Sequence, residues 1–401
     1  MIANPMQIKS LRLKKNQDRR LRSGHVWIYS NEVDTSVSPI KSFIPGEEVI
    51  IESHNKSILG VAYVNPQSLI MGRLFSRDSK ERLDLDFFCR HIQSALNLRS
   101  RVFNKPYYRL IYGESDNLPG LIADRFGDVL AIQLNTAGMD ARKDIIIDAF
   151  LKVIPELTSI LFKNDSASRK PEGLESLVSA GFGTPPEKVT LEENNVLFQA
   201  PLWSGQKTGW FYDHRSNRLA LKNYVTEKRV LDVFSYLGGW GIQAAVFGAS
   251  SVTCVDSSKL SADWIRENAA LNNVNKKISI MTEDAFVALK NLYQAKEKFD
   301  VIILDPPAFI KKQKDMKEGL LAYQRINEAA LKLLAPEGIL ISCSCSMHLT
   351  YENLIEAIRR AAYRSDMSLQ ILERGHQGID HPIHLAIPET DYLKMVITRK
   401  L

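Results

Sequence analysis

The chain has 401 residues, 45% of them hydrophobic and 24% charged, with 52 basic against 46 acidic side chains and a formal net charge of +6. This is ordinary globular usage; it excludes a collagen-like, coiled-coil or largely disordered chain, and no apolar run approaches the roughly 20 residues of a membrane helix. Four cysteines are too few for a disulfide scaffold, and the N-terminal MIANPMQIKSLRLKK has no apolar core of signal-peptide length, so the expected compartment is the reducing cytoplasm. Residues 1–75 read as a small barrel or sandwich of short strands: HVWIYSNEV, IPGEEVIIES and KSILGVAYVNPQ alternate apolar and polar residues between Pro, Gly and Asn punctuation. A basic stripe precedes them, with Lys9, Arg12, Lys14, Lys15, Arg19, Arg20 and Arg22 against the single acid Asp18. Such a stripe is either a footprint for phosphates or a solvated charged turn. Trp27 and Tyr29 share a strand face by period two, and that face is expected to be core rather than a stacking platform.

Residues 76–195 mix both elements into a central α+β domain. Leu85, Phe88, Ile92 and Leu96 have helical spacing. PGLIADRFGDVLAIQLN reads as two strands around a Gly127–Asp128 turn, Asp140 to Val153 as a second helix, and Asn164 to Glu187 as loop. Residues 196–401 alternate apolar strands with helices, the pattern of a parallel sheet covered on both faces. Its last two strands, around Ile383–Ile387 and Leu393–Thr398, are expected to pair as an edge hairpin across Pro388 and Glu389.

The first strand of this third stretch runs into VLDVFSYLGGWG. Asp232 lies within it, and Gly238, Gly239 and Gly241 open the next helix. Glycines there let the backbone approach a ligand, and an acid closing the second strand, Asp256, is placed for ribose hydroxyls. G-G-x-G is not the G-x-G-x-x-G of dinucleotide enzymes, which disfavours a nicotinamide-dependent oxidoreductase. Glu283–Asp284 follow the third strand, Asp305-Pro306-Pro307 the fourth, and Cys343 and Cys345 the fifth, all at carboxyl ends where open α/β sheets bind ligands.

This ordered set resembles class I S-adenosylmethionine-dependent methyltransferases, a Rossmann-like α/β fold. More narrowly, SGHVWIYSNEV (23–33), GESDNLPGLIADRFGD (113–128), GQKTGWFYDHRSNR (205–218), DVFSYLGGWG (232–241), LDPPAF (304–309) and SCSCS (342–346) resemble the bacterial ribosomal RNA cytosine-C5 methyltransferases that carry an N-terminal PUA domain. The resemblance implies a PUA-like RNA-binding domain at 1–75, a central domain at 76–195 and a methyltransferase domain at 196–401, with S-adenosyl-L-methionine as cofactor, large-subunit ribosomal RNA as partner and no membrane. It also implies that the segment before the first strand lines the cofactor pocket. Lys207 and Arg215 would meet the cofactor carboxylate, and Thr208 and Asp213 would supply hydrogen bonds. Phe234, Gly238, Gly239, Asp256, Asp284 and Asp305 complete the expected set, while Asp232 is either a ligand or a support for the glycine loop.

Cytosine C5 is a poor nucleophile, and a thiolate adding to C6 activates it. Cys345 lies nearer the strand's carboxyl end and matches the family's Ser-Cys-Ser element, so it is the expected nucleophile; Cys343 is expected to pack in the core. Asp305 is expected to bind the base edge. A related branch carries a second cysteine after the proline, where this chain has Pro307-Ala308, so help with thiol release must come from elsewhere, with Asp305, Lys311 and His348 the candidates. Phe309 and Trp210 are candidate stacking residues. No metal is expected, because Cys89 and Cys254 have no spacing that completes a zinc site. The alternatives are methylation of a base nitrogen, since D-P-P resembles amino-methylating enzymes although Ala308 stands before Phe309 where those carry an aromatic directly after the prolines, and a non-catalytic RNA-binding assembly factor.

Overall fold

The computed structural model describes residues 8–401. The expectation of no signal-peptide core falls partly outside them. The chain forms two compact units. The first comprises residues up to 189 together with 201–210 and 380–390; the second comprises 190–200, 211–379 and 391–401.

In the first unit, β1 (Ser10–Arg12), β2 (Trp27–Tyr29), β3 (Glu47–Glu52), β4 (Ile58–Val64) and β5 (Ile70–Ser76) form one sheet in the order β1-β3-β4-β5-β2. Leu11, Leu13, Ile28, Val49, Ile51, Val64 and Met71 make its core. The face expected to be core is corrected here. Ile28 is buried and its neighbours Trp27 and Tyr29 are half-buried. The edge strand turns Ile28 inward, and Trp27 Nε1 donates to Glu114 Oε1 at 2.8 Å. The basic stripe is largely neutralised by its own unit: Lys9 pairs with Glu47, Arg12 with Glu52, Arg20 with Glu32 and Arg22 with Asp18, at 2.6–2.9 Å. Lys14, Lys15 and Arg19 remain exposed.

The same unit continues through a short helix α1 (Arg19–Arg22) and the long α2 (Leu85–Val102), which Asp84 caps by accepting from Phe87 N. The strands β6 (Tyr107–Tyr112), β7 (Leu121–Phe126), β8 (Val129–Leu134), β9 (Ser159–Asn164) and β10 (Leu177–Phe182) form the second sheet in the order β10-β9-β8-β7-β6. Helices α3 (Ala137–Asp140) and α4 (Lys143–Val153) precede β9. Phe87, Phe88 and Ile92 of α2 pack with Leu110, Ile132, Ile146 and Phe150. β10 stands where a loop is expected. It is an edge strand paired antiparallel with β9, with little of it buried, so it carries weak apolar alternation.

The hairpin β11 (Lys188–Glu193) and β12 (Val196–Pro201) turns at Asn194 and Asn195, with φ of 56° and 65°. Two left-handed residues make the tight turn that suits a hairpin's twist. Helix α5 (Arg215–Leu219) then leads to a seven-stranded sheet: β13 (Arg229–Val233), α6 (Gly239–Val246), β14 (Ser251–Asp256), α7 (Lys259–Leu271), β15 (Ile278–Thr282), α8 (Ala285–Gln294), β16 (Phe299–Leu304), α9 (Met316–Leu331), β17 (Leu334–Ser344), α10 (Tyr351–Arg364), β18 (Leu369–Gly375) and β19 (Lys394–Lys400). The order is β15-β14-β13-β16-β17-β19-β18, with β13 to β17 parallel and β19 antiparallel to both of its neighbours. Leu231, Val233, Val255, Ile302, Leu304, Leu331 and Leu340 lie in its core. The strand order reverses between β13 and β16, and the carboxyl ends of these two strands flank the crevice where such sheets bind ligands.

The expected terminal hairpin is corrected. β19 pairs with β18, and residues 383–387 contain no strand and belong to the first unit. Local side-chain bonds hold that segment instead: His384 N donates to Thr390 Oγ1 at 2.9 Å and Ala386 N donates to His384 Nδ1 at 3.2 Å. Among the described residues, no helix is long and apolar enough to cross a membrane.

Candidate active site

β13 is central in its sheet, so its carboxyl end is held on both sides. Beyond Val233 the chain turns sharply, with Phe234, Tyr236 and Gly238 at φ of 70°, 51° and 81°. Non-glycine residues rarely adopt this region, and they persist there only where the surroundings over-determine them. Ser235 Oγ donates to Asp232 O at 2.8 Å and accepts from Val255 N at 3.1 Å. Asp232 is wholly buried beneath the loop, with Oδ2 accepting from Gly241 N at 2.9 Å. Its Oδ1 is buried with no hydrogen-bond partner among the described residues. Burial pushes this carboxyl up to about 7, against the opposing pull of the Gly241 and Ser235 bonds. Of the two readings of Asp232, the geometry is that of a support beneath the loop.

The glycines are required by space. A Cβ on Gly241 would lie 2.6 Å from Cys254 Sγ and 3.0 Å from Asp232 Oδ2, and one on Gly239 would lie 3.1 Å from Arg218 Nε. Asp256 closes β14. Its Oδ2 accepts from Tyr236 N and its Oδ1 from Ser258 N, each at 2.9 Å. One lone pair on each oxygen is thereby left for a ligand. Asp284 is exposed and caps α8, accepting from Phe286 N at 2.9 Å.

Asp305 follows β16. Oδ1 lies 3.1 Å from His214 Nε2 and Oδ2 accepts from Trp240 Nε1 at 3.0 Å. Asn217 Nδ2 lies 3.2 Å from His214 Nδ1. With the amide donating to Nδ1, the proton sits on Nε2 and points at Asp305. Burial alone would raise the Asp305 carboxyl. The His214 interaction, the Trp240 bond and the Arg218 charge outweigh it and hold the group below its ordinary value, so it is an anion at neutral pH. Arg218 in turn donates to Glu193 Oε1 at 2.8 Å, and Gln243 Nε2 donates to the same oxygen at 2.9 Å.

Cys343 is fully buried in β17, and burial lifts its thiol well above the ordinary range, so it stays protonated. His214, Asp305 and Cys343 bring their polar atoms within 4.8 Å of one another. This grouping is a hydrogen-bonded acid and imidazole beside a neutral thiol. Cys345 lies just past the carboxyl end of β17 and is half-buried. Ser344 and Ser346 flank it and are both buried, and the Tyr323 hydroxyl bonds to both at 2.7 and 3.0 Å. Ser346 Oγ also accepts from Ile310 N, in the loop after the two prolines, at 3.2 Å. The Cys345 turn and the Asp305 loop are therefore tied together.

Asp213, Arg215, Asp232, Phe234, Gly238, Gly239, Asp256, Asp284, Asp305 and Cys345 all belong to the second unit, those from Asp232 onward at or beyond the carboxyl ends of its parallel strands. Asp213 is buried and accepts from the Tyr392 hydroxyl at 2.5 Å, and the Arg215 guanidinium lies 5.2 Å from the Tyr212 ring centre. Lys207 and Thr208 belong to the first unit. Lys207 is exposed, and the Thr208 hydroxyl donates to Asp124, which Arg109 also grips at 2.6 Å. Phe309 packs on Tyr323 with ring centres 4.9 Å apart, and Trp210 is buried. Sequence reasoning did not single out His214, Trp240, Arg218 or Glu193. His214 stood inside a quoted motif, and nothing local marks its partner 91 positions away.

The glycine cradle, the strand-end acids with lone pairs to spare and the strained loop fit a nucleoside-type cofactor lying across the β13–β16 crevice. Comparison with known proteins agrees. Residues 11–77 match the family described as a PUA-like domain, and residues 170–386 match the S-adenosylmethionine-dependent methyltransferases. The ribosomal RNA large subunit methyltransferase I of Escherichia coli (strain K12) is 36% identical over 387 residues, covering 95% of this chain and 97% of its own. That of Aliivibrio fischeri (strain MJ11) is 35% identical over 390 residues, covering 96% and 98%. A putative methyltransferase from Streptococcus mutans has the same fold, with a TM-score of 0.83 at 22% identity, covering 98% of this chain and 100% of that one. A putative methyltransferase complexed with SAH gives a TM-score of 0.84 at 22% identity, with the same coverage. The chain therefore belongs to the S-adenosylmethionine-dependent methyltransferase family, in the PUA-bearing group that includes the large subunit methyltransferase I proteins, and S-adenosyl-L-methionine is its cofactor.

Proposed function

We propose that the protein methylates carbon 5 of a cytosine in large-subunit ribosomal RNA, in the cytoplasm, through a covalent bond between Cys345 and C6 of the base. The named relatives act on large-subunit ribosomal RNA, which supports the substrate class. The observation that carries the chemistry is the contrast between the two cysteines: Cys343 is sealed in the sheet, and Cys345 is half-exposed at the strand end, tied to the loop that holds Asp305.

The cofactor supplies an electrophilic methyl group. Asp256 and Asp284 would hold its nucleoside, with Phe234, Gly238 and Gly239 forming the floor beneath it, and Asp213 and Arg215 would meet its amino-acid end. Asp232 works through the loop it supports. Asp305, kept anionic by its donors, accepts from the exocyclic amine of the base. The Cys345 thiolate adds to C6 and moves electron density to C5. After transfer a base removes the C5 proton and the C6–S bond breaks. The target must leave the RNA stack to reach this turn. Labour divides along 1–75 for RNA binding, through the exposed Lys14, Lys15 and Arg19, 76–195 for connection and 196–401 for catalysis.

The test is nucleoside analysis of ribosomal RNA treated with wild-type protein and with Cys345→Ala. The expected outcome is 5-methylcytidine from the wild type and a loss of at least about 100-fold in the variant, with cofactor binding intact by calorimetry. A methyl group on a ring or amino nitrogen would replace this reading with the nitrogen one.

A further inference from the structure

Lys394 opens β19, in register with Ser344 of β17. Its side chain is 5% exposed. Nζ donates to Ser346 O at 3.1 Å and to Tyr392 O at 3.0 Å. Among the described residues no carboxylate forms an ion pair with it. Burying a lysine is costly unless its charge is used or its protons are placed. An ammonium has three N–H groups, and here two rest on neutral carbonyls. Ser346 directly follows Cys345, so the cation is anchored on the peptide adjoining the candidate nucleophile.

The ionisable groups around this turn come from four elements. β17 supplies Cys343 and leads into Cys345, α9 supplies Tyr323, the segment before β19 supplies Asp391, and the loop after β16 supplies Asp305. Tyr323 is pushed further from ionisation by burial and stays a neutral hydroxyl. Cys343 likewise stays a thiol. Burial pulls the Lys394 ammonium below its ordinary value, and the charges of Asp391 and Cys345 pull it back. An acid and a cation that interact in this way must each shift the other.

We propose that Lys394 is a positioning residue for the cysteine chemistry: its buried ammonium, anchored on Ser346, holds Cys345 as a thiolate ready for the incoming base. The proposal deepens the reading of Cys345 as nucleophile and rests on it. The Sγ proton leaves to water, the ammonium keeps its three protons, and a sulfur lone pair forms the bond to C6 while the C5–C6 π pair shifts toward C5. When the C6–S bond breaks the pair returns to sulfur, beside the same cation.

The test is alkylation of the full-length protein by iodoacetamide from about pH 5.5 to about 9.5, following the Cys345 peptide by mass spectrometry in wild type, Lys394→Met and Lys394→Arg. The midpoint for Cys345 is expected to rise by about one unit or more in Lys394→Met and to return toward wild type in Lys394→Arg. Coincident profiles for wild type and Lys394→Met overturn the proposal, and so does a Lys394→Arg profile that follows Lys394→Met. Where circular dichroism shows Lys394→Met unfolded, Lys394→Gln is read by the same criteria, since its amide still offers donors to the two carbonyls. Alkylation needs neither RNA nor methyl transfer. It therefore reports the coupling of Lys394 to Cys345, while the methylated nucleoside separately reports the carbon-5 reading.

Discussion

At the scale of single residues, the site shows one acid type set to different tasks by its surroundings. Asp305 is half-buried among donors and held as an anion, while Asp232 is fully buried with one oxygen unpaired and driven up to about 7. The second shift is a statement about stability. The folded pKa lies above the unfolded value of about 3.9, so the native state binds the proton more tightly. The contribution is fully present below about pH 4 and is lost as pH rises through about 7. Asp232→Asn keeps an oxygen for Gly241 N and removes the titration. The wild type should therefore lose stability relative to this variant between pH 4 and 7, as urea unfolding at several pH values will show. A constant difference between the two proteins would contradict it. The sequence placed Asp232 correctly in the first strand and left its task open, because which carboxylate oxygen finds a partner depends on Gly241 folding back across it.

At the scale of elements, the turn from β13 into α6 was legible because its glycines are local. Their necessity comes from what lies opposite: Cys254 of β14 occupies the space a Gly241 side chain would need. Gly241→Ala should cost about 1–3 kcal/mol of stability through overpacking and weaken cofactor binding at the same time. Thermal unfolding and calorimetry with S-adenosylmethionine will measure both, and a variant with wild-type melting and affinity would show that the loop tolerates the methyl group. Strands buried on both faces were easy to read. β10 was not, since an edge strand needs no apolar stripe. The last strand pair was misread because proximity in sequence suggested a hairpin, whereas β18 comes from about 20 residues earlier and the segment between leaves the sheet.

At the scale of the whole molecule, that segment returns to the first unit. Arg99 is fully buried, donates to both carboxylate oxygens of Asp116 at 2.6 and 2.8 Å, and reaches Asp380 O at 2.9 Å. Asp380 Oδ2 accepts from Arg109 N at 3.0 Å, and the Tyr112 hydroxyl donates to Thr390 O at 3.0 Å. The first unit is thus completed by residues made near the end of synthesis, and such distant contacts slow folding. Asp380→Ala, which strips the Arg109 amide of its acceptor, should destabilise this unit by about 1–3 kcal/mol. Urea unfolding should show a lowered midpoint and limited proteolysis faster cleavage of residues 8–189. Unchanged unfolding would mean that residues 380–390 are held by other contacts.

The sequence alone determined the alternation of strands and helices, the glycine turn, the acids closing β14 and β16 and the cysteine pair at the end of β17. Each of these is written in spacings of a few residues, the range over which backbone periodicity and turn chemistry act. Only the tertiary structure decided that His214 and Trp240 hold Asp305, that the Lys394 ammonium is anchored on the Ser346 carbonyl, and that residues 380–390 complete the other unit. Those facts depend on burial and on partners tens to hundreds of positions apart, and neither quantity exists until the chain has folded.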